Sequence, residues 1–177
     1  MDQEDRDAWL STHIPHRIRA AIAQSDVRGT LLNEQPSFSK PETVDDITWR
    51  CHGDSIWEGR LASVRWLIEF VGIRQGKDGK PKTSEPKPEG ERKYDVWIED
   101  LTPGTKMNPD TDEARVLADF WMGCTRGSSH ATDASNHPPL DDRRRVQVIG
   151  IILNHLQKNI YEPAGKNIKD YVWCRSG

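Results

Sequence analysis

Two short segments of the chain concentrate side chains that can move protons or hold anions. The first is THIPHRIR at 12–19, and the second is TRGSSH at 125–130. Histidine gains and loses protons near neutral pH, and arginine holds a phosphate through its planar fork of donors. One Arg and one His at the end of a helix are therefore sufficient to bind and cleave a phosphodiester, with the 2′-hydroxyl of RNA as the nucleophile and without a metal.

The pair Arg126 and His130 is the candidate catalytic site. Residues at i and i+4 share one face of a helix, so a helix that reaches this segment brings the two side chains together. His130 would be the general acid or base, and Arg126 would stabilise the charge that develops on the phosphate. The alternative interpretation is structural: the two residues cap the preceding helix and pack the loop after it.

Other basic residues are candidate accessory groups. Possible accessory members of the site are His13, His16 and His137. For the first two, which flank a proline, a surface or helix-capping role is the alternative. The candidate RNA-binding and phosphate-binding residues are Arg143, Arg144 and Arg145. Three cations in the first turn of a helix oppose its macrodipole, so they form either a solvated face paired with neighbouring aspartates or an anion-binding patch beside Arg126.

The elements that must position these residues are helices. Apolar residues recur at helical spacing over four segments, Asp7–Ala23, Ser55–Val71, Asp110–Cys124 and Leu140–Tyr161. Pro15 predicts either a kink in the first segment or a short helix that restarts near the proline, and Gly72 ends the second segment. Residues 74–93 lack aliphatic and aromatic side chains and predict a disordered loop, and residues 162–177 form a C-terminal tail. The predicted fold is all-α, a single domain over 1–177 built as an up-and-down bundle of four main helices with a flexible insertion after the second.

Composition limits the classes of function. A net charge of -3 and a pI of about 6.1 give no general attraction to polyanions, so nucleic-acid binding must rest on a local patch. No apolar run approaches the ~20 residues of a membrane span, and the acidic start does not resemble a signal peptide. The three cysteines lack close pairing, which indicates reduced thiols in a cytoplasmic protein. Neither a C-x-x-C nor an H-x-x-x-H pair is present, so no metal or other cofactor is expected.

The helical pattern, taken with the Arg and His motif, resembles the HEPN superfamily (higher eukaryotes and prokaryotes nucleotide-binding). The similarity in helical pattern covers about Asp7 to Tyr161, and its specific part is Arg126 to His130. The family motif is an Arg, usually followed by a polar residue, with a longer spacer before the His; here Gly127 follows the Arg. The resemblance implies a metal-independent endoribonuclease of a defence or toxin–antitoxin type system, with RNA as substrate and a composite site across a homodimer.

A second function from a different class stays open. Members of the family that lack the activity serve as binding modules, so the chain is also interpretable as a non-catalytic protein-interaction module of a defence, mobile-element or phage-related system. That interpretation predicts an exposed apolar surface for a protein partner. The tryptophans expected to contribute to it are Trp9, Trp49, Trp66 and Trp173.

Overall fold

The computed structural model of the protein describes residues 1–22, 59–85, 96–129 and 142–172, without the side chains of 126–129 and 142. These residues are mostly helical. The amino-terminal helix consists of α1 (Gln3–Ala8), a π-helical turn (Trp9–His13) and α2 (Ile14–Ile22). Next come α3 (59–70), the strands β1 (Ile73–Gln75) and β2 (Pro81–Thr83), and the short helix α4 (Ile98–Leu101). Last come α5 (Asp112–Ser129), α6 (Asp142–Leu156), a π-helical segment (Gln157–Tyr161), a 3-10 turn (Glu162–Ala164) and α7 (Ile168–Val172).

The buried face of each long helix is the one that apolar periodicity predicts. On α3, the side chains of Leu61, Val64 and Ile68 are at most 2% exposed. On α5 and α6, the predicted positions Leu117 and Ile152 are fully buried. Each such side chain removed from water stabilises the fold by roughly 1.5–3 kcal/mol. The predicted helical character is therefore confirmed over these residues.

The amino-terminal helix continues through Pro15 because a π-helical turn precedes it. The N–H of Ile14 donates to the carbonyl of Trp9, one residue further back than in an α-helix, and Pro15 has no N–H to donate. The carbonyl of Leu10 would accept the N–H of residue 14 in an α-helix or of residue 15 in a π-helix. Neither residue therefore donates a hydrogen bond to it. The hydroxyl of Tyr161, a fully buried residue, donates to that carbonyl at 2.7 Å. The predicted kink is thus a change of hydrogen-bond register within one helix.

A short hairpin occupies part of the segment predicted to be disordered. Strands β1 and β2 pair antiparallel, with Ile73 opposite Thr83, Arg74 opposite Lys82 and Gln75 opposite Pro81. The turn closes through the N–H of Gly76, which donates to the carbonyl of Lys80 at 2.8 Å. Ile73 is fully buried and β1 packs against α5, so tertiary contact supplies the apolar anchor that the polar strands lack. The prediction of a disordered insertion is wrong over 74–85, and its remainder, 86–93, lies outside the described residues.

Helix α5 is longer than the sequence predicts. It begins after Thr111, whose hydroxyl accepts the N–H of Ala114 at 3.1 Å, and not at Asp110, the predicted first residue. It continues past Cys124, the predicted last residue, through Ser129. The extension places residue 126 inside the helix.

Two hydrogen bonds fasten α2 to the C-terminal half of the chain. Arg145 on α6, which is 3% exposed, donates to the backbone carbonyl of Ala21. Arg19 donates to the backbone carbonyl of Tyr171 in α7 at 2.7 Å. The segment predicted as a tail therefore contains a helix that packs against α2.

Candidate functional site

The first residue of the predicted catalytic pair, at position 126, lies near the carboxyl end of α5. Residue 126 is in the last turn of this helix, whereas the side chain of Arg126 and the whole of His130 lie outside the described residues. Residue 126 follows Arg115 by close to three helical turns and Asp119 by close to two. Both of those side chains are exposed. By helical periodicity, position 126 therefore falls on the same face of α5 as these two residues.

The three consecutive arginines at the start of α6 have different environments. Arg143 is exposed, Arg144 is half-buried, and Arg145 is buried. Each step along an α-helix turns the side chain by about 100°, so three neighbours cannot share one face. The guanidinium of Arg145 is directed into the protein, where it donates to Ala21. Of the three, Arg143 and Arg144 remain the candidates for contact with a phosphate at the surface.

A partly exposed surface with aromatic rings and an arginine joins the amino-terminal helix to α3, and the sequence analysis selected its two tryptophans and His13. The rings of Trp9, Trp66 and Phe70 are nearly parallel, with interplanar angles between 5° and 14° and centroid distances between 4.9 and 6.3 Å. The guanidinium of Arg17 lies 5.5 Å from the centroid of Trp66. The ring of His13 lies 4.8 Å from that of Trp9. These five side chains are named the aromatic surface, in which Phe70, at 3% exposure, is the buried residue beneath the two half-buried tryptophans.

The two accessory histidines that the structure describes, His13 and His16, are both exposed. His13 and Arg17 are exposed, whereas Trp9 and Trp66 are half-buried. His16 is also exposed on α2. His137, the third accessory candidate, lies outside the described residues. The structure therefore associates His13 with an indole ring.

An open pocket of about 270 Å³ lies between α3 and α5, next to the aromatic surface. Its lining includes Arg65, Trp66, Glu69 and Cys124. The carboxylate of Glu69 accepts from Nε of Arg65 at 3.1 Å and from the indole N–H of Trp121 at 2.7 Å, so this acidic group is already paired. Burial raises the pKa of Cys124 to about 12, so its thiol is not a nucleophile at neutral pH.

His155 on α6 is a half-buried histidine that no sequence motif singles out. Its Nε2 lies 2.7 Å from the carbonyl oxygen of Thr105, and its Nδ1 lies 3.3 Å from the amide nitrogen of Asn159. A carbonyl oxygen only accepts and an amide nitrogen only donates, so the neutral tautomer with its proton on Nε2 fits both partners. Burial lowers the pKa of His155 below its ordinary value.

We expect the protein to lose stability as the pH falls through the range in which histidine titrates. Because the folded-state pKa of His155 is lowered, the unfolded chain takes up the proton first as the pH falls below about 6.5. Urea unfolding at about pH 7.5 and about pH 5.5 measures the difference in free energy of unfolding. His155→Gln keeps an N–H donor for Thr105 but does not titrate, so its stability should depend less on pH. An unchanged pH dependence in this variant would assign the effect to other groups.

Comparisons of the chain with protein-family models, with curated proteins and with solved structures found no match. Within the described ranges, no three His, Cys, Asp or Glu side chains are grouped so that they could hold a metal ion. In the same part of the chain, no helix is both long enough and apolar enough to cross a membrane.

Proposed function

We propose that this chain is a HEPN-like, metal-independent endoribonuclease of a defence or toxin–antitoxin type system that acts on RNA in the cytoplasm. The observation that supports the proposal most directly is the length of α5, which runs without a break to Ser129 and carries position 126 on the same face as Arg115 and Asp119. A side chain on the seam would be enclosed by the other helices, so the face that carries Arg115 and Asp119 is the one suited to contact with a substrate.

In the proposed reaction, His130 takes the proton from a 2′-hydroxyl, whose oxygen attacks the adjacent phosphorus. The bond from phosphorus to the 5′-oxygen of the next nucleotide breaks. The products are a 2′,3′-cyclic phosphate and a 5′-hydroxyl, which receives a proton. Arg126 stabilises the negative charge that accumulates on the phosphorane-like transition state. Side chains thus perform both the proton transfer and the charge stabilisation.

The proposal includes a finer architecture for the whole chain. The four main helices form an up-and-down bundle, and two copies of the chain combine their Arg and His pairs in a homodimer. Packing of α6 against both α2 and α5 supports the bundle. Arg143 and Arg144 hold the RNA backbone from the start of α6, and the histidines at 13, 16 and 137 are accessory groups.

A non-catalytic protein-interaction module is the second candidate function. The observation that favours it is the exposure of part of Trp9 and Trp66, which present indole surface outside the core. Tryptophan often contributes a large share of the binding energy at protein interfaces. Trp49 and Trp173, the other tryptophans predicted at this surface, lie outside the described residues. A chain with this function would not cleave RNA.

The proposed function is tested by incubating a mixed RNA pool with the protein in EDTA. We expect cleavage that resists EDTA and a loss of roughly 10²-fold or more in Arg126→Ala, because a charge-stabilising donor at the transition state contributes about that factor. Arg115→Ala is the matched control, since it removes an exposed arginine from the same helix face, where it pairs with Asp112. Cleavage that is absent from the wild type, or that Arg126→Ala retains, would contradict the proposal.

A further inference from the structure

We propose that the aromatic surface between the amino-terminal helix and α3 binds single-stranded nucleic acid, with an unpaired base stacked on its tryptophans and a phosphate held by Arg17. This binding goes beyond the proposed cleavage, because it requires neither Arg126 nor His130. It stands or fails independently of nuclease activity.

The ring geometry suits a nucleobase. Trp9 and Trp66 are half-buried in a nearly parallel arrangement with Phe70, so their planes are fixed by packing before any ligand binds. Proteins that bind single strands without sequence preference stack successive bases on such aromatic side chains. A preformed platform lowers the conformational entropy that the protein loses on binding.

The guanidinium of Arg17 on this surface is available to an anion. The guanidinium carbon of Arg17 lies 5.5 Å from the ring centroid of Trp66 and the side chain is exposed, so its N–H groups can donate to a phosphate. Within the described ranges, no carboxylate forms an ion pair with Arg17 or His13. A guanidinium plane also stacks directly on unpaired bases. Arg17 can therefore serve both the base and the phosphate of one nucleotide.

Charge favours nucleic acid over an apolar protein segment as the occupant. An apolar segment that covered this surface would bury the guanidinium of Arg17 without a counter-charge, which is unfavourable. A nucleotide supplies a flat aromatic group and an anion together. The carboxylate of the neighbouring Glu69 does not cancel this preference, because it is paired with Arg65.

The acidic start of α1 limits the extent of the site. Glu4 and Asp5 are exposed in the first turn of α1, about one turn before Trp9. Their charges repel a phosphate, so the phosphate is expected toward His13 and Arg17 and the strand leaves the surface away from α1. The surface is therefore suited to one or two nucleotides.

Binding is tested with a fluorescein-labelled oligodeoxythymidine of about 12 nucleotides, a length within the range of single-strand binding sites. DNA lacks the 2′-hydroxyl, so the probe cannot be cut by the proposed reaction, and binding is read by fluorescence anisotropy at low salt. Arg17→Gln and Trp66→Leu are each expected to weaken binding by roughly 5-fold to 100-fold. Arg115→Gln, which removes an exposed cation from another helix, should stay within about twofold of the wild type.

Arg17→Lys separates stacking from charge. It keeps a cation on α2 but loses the flat guanidinium, so affinity should fall while the salt dependence of binding is retained. Circular dichroism and urea unfolding establish that each variant is folded. The proposal is overturned if the wild type does not bind the probe, or if folded Arg17→Gln and Trp66→Leu bind it as tightly as the wild type. It is also overturned if Trp66→Leu changes only the self-association of the protein, which would make the surface a protein contact.

Discussion

Replacing His130 with asparagine is expected to lower the EDTA-resistant cleavage of RNA by roughly 10²-fold to 10⁴-fold, the contribution of a positioned general acid–base group. Asparagine keeps some hydrogen-bonding capacity but cannot exchange a proton with the 2′-hydroxyl. The measurement is the single-turnover rate on a labelled single-stranded RNA at about pH 7, where an ordinary histidine can act as a base. The expected loss exceeds that of any other substitution considered for this protein.

The comparison variant for His130→Asn is His16→Asn, at a histidine proposed only as an accessory group. His16 is an exposed histidine on α2, so the control makes the same chemical change at a surface position. An accessory role for His16 would lower the rate by no more than about tenfold, which is well below the effect of a general base. If His130→Asn cleaved RNA at the wild-type rate while Arg126→Ala did not, the proton transfer would belong to another group, with His13 and His137 as the first candidates.

The long helices could be predicted because their signals are local. Leu61, Val64 and Ile68 repeat at helical spacing, and each is buried as that spacing requires. Gly72 ends α3 with a φ of 91°, in the left-handed region that favours glycine. Gly165 ends the 3-10 turn after α6 in the same way, with a φ of 67°. Spacing and stop residues of this kind need no knowledge of the rest of the fold.

The hairpin could not be predicted from signals of this kind, because its strands are short and mostly polar. Asp78 and Gly79 are a turn signal, and the carboxylate of Asp78 accepts the N–H of Lys80 at 3.2 Å. A turn signal without alternating apolar residues is typical of an ordinary loop. The strands are stabilised instead by Ile73, which is buried, and by the packing of β1 against α5, a helix that lies far along the chain.

The candidate site could be predicted only in part, because the burial of a polar side chain depends on tertiary packing. Arg143 and Arg145 lie in the same basic run, yet the first is exposed and the second is buried against Ala21. The aromatic surface could likewise be predicted only in part. Helical spacing places Trp9 and Trp66 each on one face of a helix, but only the fold brings the two faces together. Whether Arg126 and His130 form a catalytic pair stays a prediction.

Removing the hydroxyl of Tyr161 is expected to destabilise the protein by about 1–3 kcal/mol, the cost of leaving a buried polar group without its partner. The hydroxyl donates to the carbonyl of Leu10 at 2.7 Å, and both residues are at most 1% exposed. Urea unfolding of Tyr161→Phe measures the loss, and Tm is expected to fall by roughly 2–4 °C for each kcal/mol in a chain of this size. Tyr171→Phe is the matched control, because Tyr171 is half-buried and its hydroxyl has no hydrogen-bond partner among the residues that the structure describes.

A double-mutant cycle with Pro15 tests the physical cause of this effect. The carbonyl of Leu10 accepts the hydroxyl of Tyr161 because no backbone N–H of the helix donates to it. The N–H of Ile14 goes to the carbonyl of Trp9, and Pro15 has no N–H. Pro15→Ala restores a backbone donor next to the interruption, so Tyr161→Phe should cost less in that background, with a coupling free energy of about 0.5–3 kcal/mol. If Tyr161→Phe lowered the free energy of unfolding equally in both backgrounds, the hydroxyl would stabilise the protein in some way other than by replacing the missing backbone donor to Leu10.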